Sequence, residues 1–266
     1  MTIRNISSKA NPWFRKLKDL ANDNKAYREH QQIWIEGEHL CRAAINKDWK
    51  FDNLVLLEST SPEVVEFWTS YAKDITILSE PLMVSLSTLP SSNWIGATLD
   101  LPKPISFNSN QSAVILDRLQ DPGNVGSILR SAAAFGFKQV ITTPQTVALW
   151  SSKVVRSAMG AHFGIQLIES IPTESLLALQ LPVLATSSHH GQSLHKLLLQ
   201  NQLPSPCIWV FGHEGQGAAP QWFDKALINV KIDQPGGEES LNVAAAAAIC
   251  LHASASRSSH EYQDQG

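Results

Sequence analysis

The chain has 266 residues, 43% of them hydrophobic and 17% charged, and a formal net charge of −3. That length suits one large domain or two smaller ones with sizeable cores, and the composition is that of an ordinary globular protein. Cys41, Cys207 and Cys250 stand too far apart for a CxxC pair, which argues against a disulfide framework or a zinc knuckle and fits a reducing, cytoplasmic setting with no bound metal.

The opening "MTIRNISSKANPWF" lacks the apolar core of a secretory signal, and the longest apolar run, "VAAAAAICL", is too short to span a bilayer. A net negative charge taken alone argues against a nucleic-acid partner. Its distribution says otherwise. Residues 1–50 hold ten Lys/Arg against six Asp/Glu, a local +4, which leaves −7 for the other 216 residues. Such asymmetry marks an interaction face; a solvated helical surface is the plain alternative.

In chain order, "NLVLLE" and "DITILS" read as short buried strands around a helical "SPEVVEFWTSYAK", and "NWIGATLDL" as a third strand. Residues 1–100 therefore form a small α/β domain. "LPKPISFNSNQ" (101–111), with two prolines and no periodicity, reads as a linker. From 112 to 253 the apolar runs "AVILD", "QVITT", "GIQLI", "PVLATS", "CIWVFG" and "INVKI" alternate with helical stretches. That alternation predicts a mostly parallel sheet covered on both faces. The polar 254–266 reads as a frayed tail.

In such sheets ligands bind beyond the carboxyl ends of strands, so the loops there carry the chemistry. "LDRLQDPGNVGSILRSAAAFG" (116–136) is a strand, a "DPGN" turn and a helix, with Asn124 as the expected N-cap and Gly136 as the stop. Arg130 is the only charge in that helix. Exposed helix faces normally carry several charges, so a lone Arg among small residues points to a site as readily as to solvent. "SSKVVRSAMGAHF" (151–163) reads as a helix placing Lys153 and Arg156 three apart on one face, suited to phosphate; on spacing alone a surface basic pair is the commoner outcome. "SSHHG" (187–191) offers no metal spacing, and the chain has no GxSxG elbow, so neither a metal site nor a hydrolase is assigned there.

"CIWVFGHEGQG" (207–217) runs a strand into a loop with Gly212, Gly215 and Gly217 around Glu214. Glycines let backbone approach a ligand closely, as they also serve a plain tight turn. "INVKIDQPGGEESLNVAAAAAICLH" (228–252) passes from a strand through a glycine loop to Ser240, the expected N-cap, and an alanine helix. Alanine favours helix and lets neighbouring backbone come close. Asn242 would stand two residues into that helix, where it is unfavourable unless its amide has a partner.

Together and in this order these stretches resemble the three motifs of the SpoU/TrmH-type RNA ribose methyltransferases of the SPOUT superfamily, and "YREHQQIWIEGEHLCRAAI" (27–45) is similar to the start of their small substrate-binding domain. The resemblance implies an α/β catalytic domain with a C-terminal trefoil knot, S-adenosylmethionine (AdoMet) as cofactor, a homodimer, and methyl transfer to a ribose 2′-hydroxyl, of ribosomal RNA ahead of transfer RNA. Gly212, Ile232 and Leu241 would hold the cofactor; Asn124, Arg130, Glu214, Ser240 and Asn242 match the polar active-site positions; Arg156, with Lys153, would meet the substrate. Ala244 departs from the family, which often has Ser there. Two rivals remain: an RNA-binding protein of this fold without catalysis, and a nicotinamide oxidoreductase, which would require GxGxxG where the chain has "DPGNVG".

Overall fold

The computed structural model describes residues 1–87, 95–237 and 240–263. They cluster into two compact units, Met1–Lys103 with Ala148–Phe163, and Pro104–Val147 with Gly164–Gly266.

The first unit runs β1 (Ile3–Ile6), α1 (Pro12–Asn22), α2 (Ala26–His30), β2 (Gln32–Glu36), α3 (Glu38–Ile45), β3 (Phe51–Leu57), α4 (Pro62–Thr69), β4 (Ala72–Leu78), α5 (Glu80–Leu86) and β5 (Ile95–Asp100). Helix α1 starts where Asn11 accepts from the backbone N–H groups of Trp13 and Phe14, with Pro12 at the first position. Its buried Phe14, Leu17, Leu20 and Ala21 recur at helical spacing and form the face turned to the core. The sheet has the order β1-β4-β3-β5-β2; β1, β4 and β3 are parallel, while β5 runs antiparallel to both β3 and β2. The strands expected around "NLVLLE", "DITILS" and "NWIGATLDL" are β3, β4 and β5, though Asn93 and Trp94 lie outside the described residues.

The second unit continues with β6 (Ala113–Asp117), α6 (Pro122–Ala134) and β7 (Gln139–Thr142). The chain then contributes α7 (Ser152–Ser157) to the first unit before β8 (Gln166–Ile168), α8 (Thr173–Leu177), β9 (Val183–Thr186), β10 (Gln192–Ser193), α9 (Leu194–Leu199), β11 (Ile208–Gly212), α10 (Pro220–Lys225), β12 (Ile228–Lys231) and α11 (Val243–Gln263). The seven strands are all parallel, in the order β10-β12-β9-β11-β6-β7-β8. Every residue of β6 and β11 is buried, which is why both read as unbroken apolar runs. One core cluster joins Ile115, Ile141, Val210 and Trp222. Elsewhere α11 packs on α6, α9 and β11.

Two features depart from the sequence reading. The span 148–163 follows the 101–111 linker in sequence yet packs in the first unit. Ser152 Oγ–H donates to Ala21 O at 2.6 Å, Trp49 Nε1–H donates to Phe163 O at 3.3 Å, and the Trp49 and Phe163 rings stand 5.3 Å apart. Its helix is also shorter than expected, because Met159 (φ 51°) and Gly160 (φ 91°) turn the chain out of helical geometry. The polar tail, for its part, is helical as far as Gln263. Buried Ala247, Cys250, Leu251 and Ala253 carry α11's inner face up to it, and Trp209 Nε1–H donates to Ser254 Oγ at 2.9 Å.

Candidate active site

The loops after β9, β11 and β12, three neighbouring strands, enclose a cavity of about 460 Å³. That volume lies within the range of small-molecule sites, and its position beyond the strands' carboxyl ends is where open parallel sheets bind ligands. Gly212, Ile232 and Leu241, the three residues expected at the cofactor, all line it, as do Glu214 and Ser240. The rest of the wall mixes apolar Phe223, Val230 and Val243 with the glycine-loop backbone and Ser187. Gly212 is required by the loop itself: a Cβ there would collide with the backbone of Gly217 and Ala218. Its place is therefore fixed by how the chain folds back, through the His213–Gly217 bridge. His213 has a loop role as well, its Nδ1 accepting from the Gly215 N–H at 3.0 Å.

Asn124, Arg130 and Asn242 do not line the cavity. A chain of hydrogen bonds nevertheless joins two of them to it. Asn242 Nδ2–H donates to Asn124 Oδ1 at 2.9 Å, and Asn124 Nδ2–H donates to Glu214 Oε1 at 3.2 Å. Glu214 also accepts from the backbone N–H groups of Asp121 (3.2 Å) and Gln120 (3.4 Å). Partial desolvation pushes the Glu214 carboxyl up, but its own backbone N–H, the Asn124 amide and the N–H groups of Asp121 and Gln120 outweigh it, holding the group below the ordinary carboxylate range. The three sequence stretches thus meet through side chains at one carboxylate.

Both expected caps move by a few residues. Asp121, not Asn124, caps α6: its Oδ1 accepts from the Asn124 N–H at 2.7 Å, and Pro122 takes the first helical position. Asn124 is thereby free to bridge. Asn242, not Ser240, caps α11, its Oδ1 accepting from the N–H groups of Ala244 (2.9 Å) and Ala245 (3.3 Å). An Asn cap uses its oxygen on the helix and keeps its amide N–H for Asn124, which resolves its unfavourable position in the sequence. Glu238 and Glu239, just ahead, lie outside the described residues.

Arg130 is exposed on α6 and, among the described residues, has no hydrogen-bond or ion-pair partner. Lys153 and Arg156 stand on α7 in the first unit, both exposed. Arg156 borders a small cavity with Trp34 and Glu36 there. Sequence reasoning missed two groups. Ser187, Ser188 and His189, set aside as carrying no metal or hydrolase chemistry, line the cavity; their place directly after a strand was the available signal. Asp117 and Arg118, at the end of β6, were passed over as part of a strand end, and no local pattern marks what they hold.

A parallel, doubly wound sheet with a glycine-loop cavity at its carboxyl edge defines a domain of the nucleotide-type ligand-binding class. The chain belongs to the SpoU rRNA methylase family, whose model matches residues 111–252. It is 28% identical over 94% of its length to an uncharacterised tRNA/rRNA methyltransferase of Synechocystis, covering 93% of that protein. It is 26% identical to the 23S rRNA (guanosine(2553)-2′-O)-methyltransferase RlmP of Bacillus subtilis, over 94% of this chain and 98% of the relative. In fold it matches the AdoMet-bound rRNA methyltransferase of Sinorhizobium meliloti with a TM-score of 0.81, at 24% identity over 94% of this chain and 97% of that one.

Proposed function

We propose that this chain is an AdoMet-dependent RNA methyltransferase acting on a ribose 2′-hydroxyl, of ribosomal RNA in preference to transfer RNA. The observation that carries the reading is the convergence of the three family motifs on one cavity through Asn242, Asn124 and Glu214. The cavity suits AdoMet: apolar walls at Ile232 and Leu241 for a flat purine, glycine-loop backbone for hydrogen bonds, and the Glu214 carboxylate for a cation. AdoMet, when bound, supplies an electrophilic methyl group on a sulfonium.

The chain's own residues then have to orient the hydroxyl and ease loss of its proton. Arg130, an exposed cation with no partner among the described residues, grips a neighbouring phosphate and polarises the hydroxyl. A guanidinium keeps its proton at ordinary pH, so the proton leaves through phosphate or water rather than to Arg130. Glu214, already committed to several donors, organises the glycine loop, and Ser240 offers a hydroxyl at the cavity mouth. Asn242 fixes the start of α11, and Asn124 links it to Glu214. RNA contact extends to the first unit, where Lys153 and Arg156 and the basic N-terminal region meet phosphates. In that region Arg4 lies over the Trp13 ring at 5.2 Å, and Arg42 over Phe67 and Trp68 at 5.1 and 5.4 Å. Both guanidiniums are also paired, with Asp74 and Glu38, so the phosphate contacts fall to the other basic residues of the region. A homodimer belongs to the same reading, supported by the exposed apolar Ile249 on α11; so do the threaded C-terminus, supported by the close packing of α11 on α6 and β11, and a cytoplasmic setting, consistent with three free, buried cysteines.

Labelled AdoMet, incubated with the full chain and total RNA from a strain lacking the gene, tests the function. Label in one ribosomal RNA band, mapped to a 2′-O-methyl group, is the expected result. AdoMet binding without transfer to any RNA would instead leave a non-catalytic RNA binder of this fold.

A further inference from the structure

We infer that Arg118 is a positioning residue for the cofactor cavity, one that sets the shape of the Gly212–Gly217 loop from behind; this rests on the AdoMet reading of that cavity. Arg118 follows the last residue of β6 and takes φ 62°, a left-handed conformation uncommon for a side-chain-bearing residue. Its backbone N–H is held between Thr143 Oγ1 and Thr146 Oγ1, both at 3.0 Å. The two threonines hold the residue in that conformation, which sets the direction in which its side chain leaves the strand end.

The guanidinium is aimed at the loop. Nη1–H donates to Gln216 Oε1 at 3.2 Å and Nη2–H to Gly217 O at 3.2 Å, while Nε–H and Nη2–H both reach Asp117 Oδ2 at 3.3 and 3.2 Å. Asp117, 1% exposed, also accepts the Thr143 hydroxyl at 3.0 Å and the Ala219 N–H at 2.8 Å. One ion pair therefore grips Gln216 and Gly217 on one side and the N-cap of α10 on the other. The loop's residues from Gly212 to Gly217 line the cavity, whereas Arg118 does not. A planar fork of several donors can hold three acceptors at set angles, and an ammonium cannot. Within the loop the N–H groups of Gly215, Gln216 and Gly217 all turn in to His213, so the brace supplies the anchor from outside, at Gln216 and Gly217.

Arg118→Ala would strand the buried Asp117 charge and endanger folding, so the deciding variant is Arg118→Lys, which keeps a cation beside Asp117 and lies off the cavity wall; Gln216→Ala, whose side chain itself lines the cavity, is its companion at the loop end. AdoMet binding is measured by calorimetry on the full chain, with hydrogen exchange at the Gly217 and Ala219 amides. Arg118→Lys is expected to weaken AdoMet binding about tenfold and Gln216→Ala about threefold, as befits one or two lost charge-assisted bonds, with faster exchange at both amides. In turnover the KM for AdoMet rises while kcat and the KM for RNA hold. A merely stabilising role would lower the melting temperature and leave affinity alone. Wild-type affinity in Arg118→Lys overturns the assignment. A wild-type chain that binds no AdoMet overturns the cofactor reading itself, and unchanged exchange in the variants then overturns the brace as well.

Discussion

Asn242 allows stability and activity to be separated by two substitutions. Its Oδ1 caps α11 and its amide donates to Asn124, which in turn donates to Glu214. Asn242→Ala removes an N-cap worth about 1 kcal/mol and an exposed hydrogen bond worth up to about 1 kcal/mol. A loss of about 2 kcal/mol in the second unit lowers its melting temperature by roughly 4–8 °C. Asn242→Asp keeps the cap and puts negative charge at a helix N-terminus, where it is favourable by about 0.5 kcal/mol. Its stability should match or slightly exceed the native chain's. It cannot, however, donate to Asn124. Whichever way the Asn124 amide turns, its oxygen faces one carboxylate, at 214 or at 242, so the relay is broken without loss of the fold. Thermal and urea melts, run beside methyl transfer from labelled AdoMet, read the two effects. The expected pattern is Ala less stable and less active, Asp stable and at least tenfold less active, a loss of about 1.4 kcal/mol. Full activity in Asn242→Asp, or an Asp variant as unstable as Ala, refutes the reasoning.

Two further outcomes follow from buried groups. His162 is buried, its Nε2–H donates to Leu149 O at 2.7 Å, and desolvation pushes its pKa from 6.5 down to about 4. The native state therefore refuses a proton that the unfolded chain accepts: this contribution is complete above pH 6.5 and is lost as pH falls towards 4. Urea unfolding of the first unit should weaken by about 2 kcal/mol between pH 6.5 and 5, and His162→Gln should flatten that slope; an unchanged slope contradicts the assignment. Gly212→Ala, whose methyl would enter the Ala218 backbone, should cost about 3 kcal/mol and abolish AdoMet binding. A stable variant that binds normally would show that the loop is looser than its geometry implies.

The catalytic sheet was legible because parallel strands buried on both faces leave unbroken apolar runs, as in β6 and β11. The short edge strands β1 and β10 carry no such signal. Cap positions were legible in kind but not in register. "DPGN" contains two residues able to cap, and only Pro122 at the first helical position selects Asp121; the alanine run has no apolar period to show where α11 begins. The placement of residues 148–163 depends on Trp49 meeting Phe163, 114 residues apart, which no local pattern records. The cavity's lining was more legible than the bonds behind it. Five of the residues named from the motifs line the cavity, whereas Asn124 and Asn242 act through the Glu214 carboxylate, and Arg118 through backbone it reaches only in the fold.

The most direct test is Arg130→Ala, because Arg130 is exposed, unpartnered among the described residues and outside the cavity wall. AdoMet affinity and methyl transfer to ribosomal RNA would be measured on the same preparation. The account expects binding within twofold of the native chain and transfer reduced by at least about 100-fold, the effect of removing one positioned charge at a developing transition state. Loss of binding together with transfer would make Arg130 a structural residue, and transfer at the native rate would remove it from the reaction.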